Sequence, residues 1–326
     1  KCSTKIKQKL LHEFTIGKRV RSNAASNFYT DYSNYCINYL ELFHSHEHQA
    51  AALIMEDING QDLTSYMASL GNRLTAGLSV RKFLEIAIKI TRGLTAIHTA
   101  KVIHTDIKPS NIVYNSTTGE LRIIDFGTAL YEAHHEDHRR QLSNGSDLFS
   151  FTAFMSPEHT GKLNRSIDVR SDLYCLGATL YYLLCGTPPF QASTTIGYMH
   201  CQLAQDPLPP AILSNIILKL LQKNVDERYQ TSAGLLYDLE KCDKLFASSG
   251  FSSIESFALG KFDFSEKLTM PKKPYGREAE VTALQTNLVK ANILLMYLSQ
   301  QNLKNELFSN EAIQTGVRAF ALCGLQ

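Results

Sequence analysis

Two short polar segments between apolar runs constrain the fold of this chain more than any other feature. The first is HTDIKPSN, within residues 102–115, and the second is the Asp-Phe-Gly triplet at residues 125–127. The apolar pairs at residues 112–113 and 123–124 flank the two segments and predict short strands. We therefore expect both polar segments to be held on one rigid hairpin rather than on mobile loops.

The acidic and amide residues of these segments predict the chemistry of phosphoryl transfer. That reaction depends on positioning and charge neutralisation more than on covalent chemistry by the protein. We expect Asp106 to accept the proton of the attacking hydroxyl and Lys108 to lie beside the transferring phosphoryl group. Asn111 and Asp125 are expected to hold magnesium ions, with the Asp125 metal bridging the phosphates. His104 is expected to support the loop backbone, because Asp106 already fills the role of base.

These segments resemble those of the protein kinase superfamily, and the resemblance continues downstream in the family's order. The Ser-Pro-Glu at residues 156–158 stands where the family carries Ala-Pro-Glu. Arg228 matches the family's late arginine, so the resemblance implies a buried ion pair with Glu158; breaking such a pair typically costs about 3 to 5 kcal/mol. Residues 168–190 resemble the central helix of the large lobe, with Asp172 at its start, where a carboxylate can accept backbone N–H groups.

The start of the chain is expected to supply a truncated small lobe. A helix is predicted over residues 7–20, and its Glu13 stands where the family carries a glutamate that pairs with a strand lysine. In the family that strand and the glycine-rich loop precede this helix, and the sequence contains neither. Lys9 is expected to form only an exposed i,i+4 pair with Glu13. Gly127 and Glu13 are both expected to support the site structurally.

Two strands are predicted next, over residues 35–43 and 50–54. The resemblance implies that the segment after them is the hinge, whose backbone groups bind the adenine edge of ATP. Glu56, Asp57 and Ile58 are therefore candidate nucleotide contacts. The clearest predicted helix covers residues 79–98, with apolar residues at a period near 3.6 and Ser79 as its cap.

Thr105 replaces the arginine that many family members carry before the catalytic aspartate. That arginine normally receives a phosphorylated residue of the activation segment, so the replacement argues against control by phosphorylation there. Thr152 is a candidate phosphorylation site by position alone. Two histidine groups, at residues 44–48 and 134–138, are expected to be solvent-exposed rather than zinc-binding.

The resemblance covers about residues 7–290 and implies an α+β, two-lobed protein-kinase-like fold with a truncated N-lobe and a mainly α-helical C-lobe. We expect the kinase domain to span residues 1–245, its last helix covering residues 233–244. A serine-rich, proline-punctuated linker is predicted over residues 246–273. Residues 274–326 are expected to be the start of a truncated ATPase-like module or a divergent tail. Within them, YGREAEV resembles a junction in large bacterial-type proteins, where a kinase-like domain precedes an ATPase module and a sensor histidine kinase.

Composition sets bounds without pointing to a partner. The chain has 326 residues, 44% of them hydrophobic, which allows a large core. The net charge of +2 says nothing about partners. The basic stretch at residues 1–9 is expected to be a solvated helix face, so no nucleic-acid partner is expected. Its seven cysteines form no C-x-x-C pair, which favours a reduced, cytoplasmic setting. The longest apolar run, residues 291–298, is too short to span a bilayer, so no membrane insertion is expected.

Three functions from different classes follow. The first is a serine/threonine protein kinase that transfers the γ-phosphate of ATP, with Mg²⁺, to a protein substrate within a signal-transduction protein carrying downstream signalling domains. The second is a pseudokinase or regulatory scaffold, favoured by the missing phosphate-binding elements of the N-lobe. The third is a small-molecule kinase of the aminoglycoside or choline type. The Ser-Pro-Glu segment, with Arg228 and Asp172, argues against the third because those enzymes lack this architecture.

Overall fold

The computed structural model of this protein describes residues 4–24, 32–45, 50–71, 77–132, 153–163, 165–210, 213–249 and 257–264. All of them belong to the first of two compact units, Lys1–Glu266 and Lys267–Gln326. The expected tail at 274–326, the candidate Thr152 and the histidines at 134–138 lie outside the described residues, as do the side chains of His44, His46 and His48.

Helices dominate the described structure. They are α1 (Thr4–Ala24), α2 (Leu63–Ser69), α3 (Val80–Thr99), α4 (Val169–Cys185), α5 (Thr195–Ala204), α6 (Ser214–Leu220) and α7 (Ser232–Ser249). The described strands are β1 (Tyr39–Ser45), β2 (Ala50–Met55), β3 (Gln61–Asp62), β4 (Val102–Ile103), β5 (Ile112–Tyr114), β6 (Leu121–Ile123) and β7 (Leu130–Tyr131). This mixture of many helices and few short strands confirms the predicted fold class. None of the described helices is long and apolar enough to cross a membrane.

The strands form three small sheets. β1 and β2 make an antiparallel pair, β5 lies between β3 and β6, and β4 pairs with β7. The strand predicted from residue 35 was placed too early, because residues Ser33–Tyr35 form a 3-10 turn and β1 begins at Tyr39. Arg21 of α1 holds that turn by donating to the Ser33 carbonyl at 2.9 Å, and so keeps it out of the strand.

Helix α3 is the centre of the core and confirms the predicted periodicity. Its predicted apolar face is buried throughout, at Val80, Phe83, Ala87, Ile90, Leu94 and Ile97. Ser79 does occupy the position before the helix, but its side chain makes no capping hydrogen bond, which corrects that part of the prediction. A Cβ on Gly93 would lie 2.8 Å from Ile123 Cδ1, so the glycine lets α3 approach β6 closely.

Helix α4 begins with a capping box that the sequence analysis did not identify. The Asp168 side chain accepts from Arg170 N at 2.8 Å, and the Ser171 hydroxyl accepts from Asp168 N at 3.3 Å. The box satisfies N–H groups at the start of a helix that is buried along most of its length. It thereby fixes the position of Asp172, one residue further on.

The described structure continues past the expected end of the domain at residue 245. Helix α7 runs to Ser249, and residues 257–264 return to its N-terminal end. There the Asp263 carboxylate accepts from Gln230 N at 2.6 Å and from Thr231 N at 2.8 Å. Gly260 N donates to Asp238 at 2.7 Å. Part of the expected linker is thus packed against the helical lobe.

Candidate active site

The two polar segments of the sequence meet at one end of a strand pair. β5 and β6 are antiparallel, with Ile112 opposite Ile123. Ile124 N donates to the Asn111 carbonyl at 2.9 Å, which joins the residues just outside the pair. The strand pairing therefore brings Asn111 and Asp125 to the same edge, as the flanking apolar pairs predict.

Two of the predicted site side chains converge on one carboxylate oxygen of a third, Asp106. Lys108 Nζ lies 2.6 Å from Asp106 Oδ2, and Asn111 Nδ2 lies 3.0 Å from the same atom. Asn111 Nδ2 also donates to the Asp106 carbonyl at 2.9 Å. These contacts fix the orientation of the Asp106 carboxylate and leave Oδ1 without a hydrogen bond to another described residue.

Asp172 anchors the backbone of the catalytic loop. Its buried carboxylate accepts from His104 N at 2.8 Å, from Thr105 N at 2.7 Å and from His98 Nε2 at 2.9 Å. Burial pushes the pKa of Asp172 upward, but the hydrogen bond and charge of His98, together with the hydrogen bond from the His104 N–H, outweigh it, so the pKa lies below its usual value. Asp172 is thus an ionised acceptor inside the core.

Two site residues have left-handed backbone conformations. Thr105 has φ of 69° and Asp125 has φ of 64°. This region is costly for a β-branched residue such as threonine, and strain of this kind costs on the order of 1 to 3 kcal/mol. The hydrogen bond from the Thr105 N–H to the Asp172 carboxylate helps to hold the strained loop in place.

The Thr105 side chain has a role that the sequence analysis missed. Its Oγ1 donates to the Thr128 carbonyl at 3.0 Å and lies 3.1 Å from the Thr128 hydroxyl. These bonds tie the catalytic loop directly to the residue that follows the Asp-Phe-Gly triplet. The pairing joins residues far apart in sequence, so no local pattern indicates it.

His104 is buried between the catalytic loop and the Asp-Phe-Gly segment. Its ring is fully buried, with Nε2 3.1 Å from the Ile124 carbonyl. Asp106 N donates to Nδ1 at 3.3 Å, and the ring packs against Phe126 with centroids 5.0 Å apart. An accepting Nδ1 requires the neutral tautomer with the proton on Nε2, which suits a support for both loops.

Glu13 of α1 faces the Asp-Phe-Gly segment, with a partner that the sequence analysis did not foresee. Its Oε1 accepts from the Tyr39 hydroxyl at 2.8 Å. Burial raises the pKa of Glu13, and the negative charge of Asp125 raises it further, against the lowering effect of the Tyr39 bond. Among the described residues, no lysine pairs with Glu13.

Gly127 is required by the close approach of three side chains. A Cβ built on it would lie 2.7 Å from Lys9 Cε, 3.1 Å from Asp125 Oδ1 and 3.4 Å from Glu13 Oε2. The Gly127 N–H also donates to Asp125 Oδ1 at 3.2 Å. Lys9 therefore lies beside the Asp-Phe-Gly loop. Its expected ion pair with Glu13 is not found among the described residues.

The expected hinge segment is partly committed to internal hydrogen bonds. Glu56 N donates to the Asn38 carbonyl at 2.9 Å, and the Glu56 carboxylate accepts from Asn38 N and Arg122 Nε. Asp57 accepts from Asn59 N at 2.8 Å, and the Ile58 carbonyl accepts from Asn115. The Glu56 N–H and side chain are thus used within the fold, which leaves the Glu56 carbonyl as the backbone group of that residue that could contact a nucleotide. The Ile58 N–H bonds to no other described residue and stays a candidate donor to adenine.

Glu158 and Arg228 are in contact deep inside the helical lobe. Arg228 Nη1 lies 2.7 Å from Glu158 Oε1, and both side chains are 0% exposed. The guanidinium directs its hydrogen bonds to the carbonyls of Gln222, Lys223 and Arg170. The contact with Glu158 is therefore electrostatic, without hydrogen-bond geometry at either carboxylate oxygen within the described structure.

The donor set at the end of β5 and β6 fits magnesium with a nucleotide phosphate. Asn111 and Asp125 offer oxygen ligands, and Mg²⁺ is usually held by one or two carboxylates together with substrate phosphates. The described residues contain no cluster of three or more His, Cys, Asp or Glu that could hold a metal by itself. A site shared between protein and nucleotide agrees with both observations.

Comparison with known proteins identifies the class to which this fold and site belong. The profile of the family described as "Protein kinase domain" matches residues 3–239, so the chain belongs to the protein kinase domain family. It is 30% identical over 195 residues to the serine/threonine-protein kinase PknB of Mycobacterium tuberculosis (strain ATCC 25618 / H37Rv), a match that covers 57% of this chain and 29% of the relative.

Two further relatives show the same relationship. A probable serine/threonine-protein kinase of Corynebacterium efficiens, CE0033, is 28% identical over 235 residues, covering 68% of this chain and 33% of the relative. A probable serine/threonine-protein kinase of Streptomyces coelicolor, SCO3848, is 29% identical over 198 residues, covering 58% of this chain and 28% of the relative. The chain thus spans about a third or less of the length of the curated relatives it matches.

Proposed function

We propose that this protein transfers the γ-phosphoryl group of ATP to serine or threonine hydroxyls of a protein substrate. The observation that carries the proposal is the convergence of Lys108 and Asn111 on Asp106 Oδ2, at 2.6 and 3.0 Å. Three relatives that carry the name serine/threonine-protein kinase support the choice of acceptor. The proposed cofactors are ATP and Mg²⁺.

Each residue would contribute one part of the reaction. Asp106, held through Oδ2, presents Oδ1 to the acceptor hydroxyl and takes its proton. Lys108 places a positive charge beside the phosphoryl group in transfer, where charge builds up on the equatorial oxygens. Asn111 and Asp125 hold Mg²⁺, which when bound neutralises charge on the β- and γ-phosphates. Asp172 keeps the loop carrying Asp106 in its strained conformation.

Substitution of Asp106 tests the proposal. In the Asp106→Asn variant we expect the initial rate of transfer from Mg²⁺-ATP to a generic serine-rich protein acceptor to fall about 100-fold or more, because a general base contributes about 10² to 10⁴. Calorimetric binding of adenosine should be unchanged. Asp243→Asn is the matched control, an exposed aspartate on α7 that should keep full activity.

Three results would count against this function. An Asp106→Asn rate equal to that of the parent would remove Asp106 from the mechanism. Binding of Mg²⁺-ATP by the parent without any phosphoryl transfer would favour the regulatory scaffold. Transfer to a free sugar or amine, with none to protein, would favour a small-molecule kinase.

We also propose a cytoplasmic setting and a place for this domain in a multidomain signalling protein. The resemblance of residues 275–281 to the junction before an ATPase module supports the arrangement, and the absence of C-x-x-C pairs supports the setting. Sequencing the genomic region on both sides of the coding segment tests the arrangement. An intact ATPase module and histidine kinase in the same reading frame is the expected result.

A further inference from the structure

Lys9 has an unexpected position in the site. It lies on α1, one helical turn before Glu13, a spacing at which an i,i+4 ion pair forms readily. The structure gives it a different neighbour, since its Cε lies 2.7 Å from the point that a Cβ on Gly127 would occupy. The absence of a side chain at Gly127 is what gives the lysine its room.

The surroundings of this lysine are acidic. Asp125 Oδ1 lies 3.1 Å and Glu13 Oε2 lies 3.4 Å from the same point beside Gly127. Within the described part of the chain, Lys9 forms no ion pair with either carboxylate. Its side chain is exposed, so its ammonium keeps donors available to a ligand at the Asp-Phe-Gly loop.

Geometry and charge together suggest what that ligand is. Asp125 is the proposed ligand of the metal that bridges the nucleotide phosphates, so a cation beside Asp125 lies next to the phosphate oxygens bound to the same metal. A lysine ammonium is a compact point charge and a common phosphate-binding group. The two other side chains nearest to that point are carboxylates, so Lys9 places a positive charge beside them.

We propose that Lys9 of α1 binds a phosphate oxygen of Mg²⁺-ATP across the Asp-Phe-Gly loop, as a nucleotide-binding residue of this site. The inference rests on the proposed kinase function, since it requires ATP to occupy the site formed by Asn111 and Asp125. It differs from the sequence-based expectation, in which Lys9 was a surface residue paired with Glu13.

Calorimetric titration of the full chain with two probes tests the inference. Mg²⁺-ATP reports on phosphate and base contacts together, whereas adenosine reports on the base and ribose alone. In the Lys9→Met variant we expect the Kd for Mg²⁺-ATP to rise about 10- to 100-fold, the range for loss of a hydrogen bond to a charged group. The Kd for adenosine should not change, and Lys9→Arg should recover most of the Mg²⁺-ATP affinity.

Lys18→Met is the matched control, because Lys18 is an exposed lysine on the same helix and its loss removes the same charge. The inference is overturned if Lys9→Met leaves the affinity for Mg²⁺-ATP unchanged. It is also overturned if the variant loses affinity for adenosine by the same factor as for Mg²⁺-ATP, because that result would mean that Lys9 has a structural role. Phosphoryl transfer by the parent protein, measured alongside, separates the two ideas. If the parent transfers phosphate and the Lys9→Met variant binds Mg²⁺-ATP as tightly as the parent does, only the role of Lys9 is overturned. If the parent does not bind Mg²⁺-ATP at all, both the role of Lys9 and the proposed kinase function are overturned.

Discussion

At the scale of single residues, Asp172 organises more of the candidate site than any side chain that would touch a substrate. It binds two consecutive backbone N–H groups of the catalytic loop, and a third donor, His98, keeps its charge compensated. The strained φ of Thr105 is tolerated because its N–H is one of those donors. The position of the proposed base therefore depends on a buried carboxylate of α4, 67 residues after Thr105 in sequence.

Replacement of Asp172 should lower the free energy of unfolding by an amount that depends on pH. In Asp172→Asn we expect the free energy of unfolding at pH 7 to fall by about 3 kcal/mol, since an amide cannot accept all three donors and leaves buried N–H groups unpaired. The pKa of Asp172 is lowered in the folded state. Its contribution is therefore complete above the unfolded pKa of about 4 and is lost as the pH falls through the folded value.

Urea denaturation of parent and variant from pH 7 down to pH 3 measures this difference. The gap between them should narrow below about pH 4, where the Asp172 carboxylate of the unfolded parent takes up a proton while that of the folded parent is still ionised. Asp243→Asn, at an exposed position, should show no such gap at any pH. A gap for Asp172→Asn that stays constant across the range would contradict the argument.

The sequence allowed some residue contacts to be predicted and hid others. Asp106, Lys108 and Asn111 are within five positions of one another, so their meeting follows from local spacing. The partner of Glu13, Tyr39, lies 26 residues away on a different element. Such a contact depends on how α1 packs against β1, which no local pattern encodes. The Asp168–Ser171 capping box was readable as D-x-x-S and was overlooked.

At the scale of helices and strands, periodicity was the reliable guide. The apolar stripe of α3 was predicted residue by residue because a 3.6-residue repeat must face a core. Boundaries were less predictable: β1 begins later and α7 ends later than expected. For β1, a side chain from another part of the chain contributes, because Arg21 of α1 donates to the Ser33 carbonyl of the turn that precedes the strand.

Asp263 holds the N-terminal cap of α7 in place although it follows that helix in sequence; the cap itself is Thr231, whose hydroxyl accepts from Gly234 N at 3.0 Å. Its carboxylate accepts from Gln230 N, Thr231 N and the Thr231 hydroxyl. For Asp263→Ala we expect the free energy of unfolding to fall by about 1 to 2 kcal/mol, the usual cost of losing a helix N-terminal cap. Chemical denaturation followed by circular dichroism measures it. Asp243→Ala, on the exposed face of α7, should differ from the parent by less than about 0.5 kcal/mol.

At the scale of the whole molecule, the helical lobe includes residues that composition assigned to a linker. Serine and proline content predicts a segment without a core, yet Phe257 and Leu259 pack against the buried cluster of the domain. Composition averages over a stretch and cannot detect two apolar side chains that meet a specific surface. The compact unit accordingly ends near Glu266 rather than at residue 245.

The stabilities of two truncated proteins test whether the folded domain ends at residue 245 or near Glu266. A chain ending at Glu266 keeps the end of α7 and the Asp263 cap, whereas one ending at Leu245 loses both. We expect the shorter chain to be less stable by at least about 2 kcal/mol, from the lost cap and the lost burial of Phe246, Phe257 and Leu259. Urea midpoints and slopes of the two proteins give the difference. Equal midpoints would show that residues 246–266 contribute nothing to the fold.

The hydroxyl pair formed by Thr105 and Thr128 has a consequence for the conditions under which the site stays assembled. Contacts between arginine and a phosphorylated threonine weaken as salt screens their charges. The bonds between Thr105 Oγ1 and Thr128 involve no formal charge, so ions in solution have nothing to screen. The hydrogen bonds that connect the catalytic loop to the Asp-Phe-Gly segment are therefore insensitive to ionic strength, and they are present before any covalent modification.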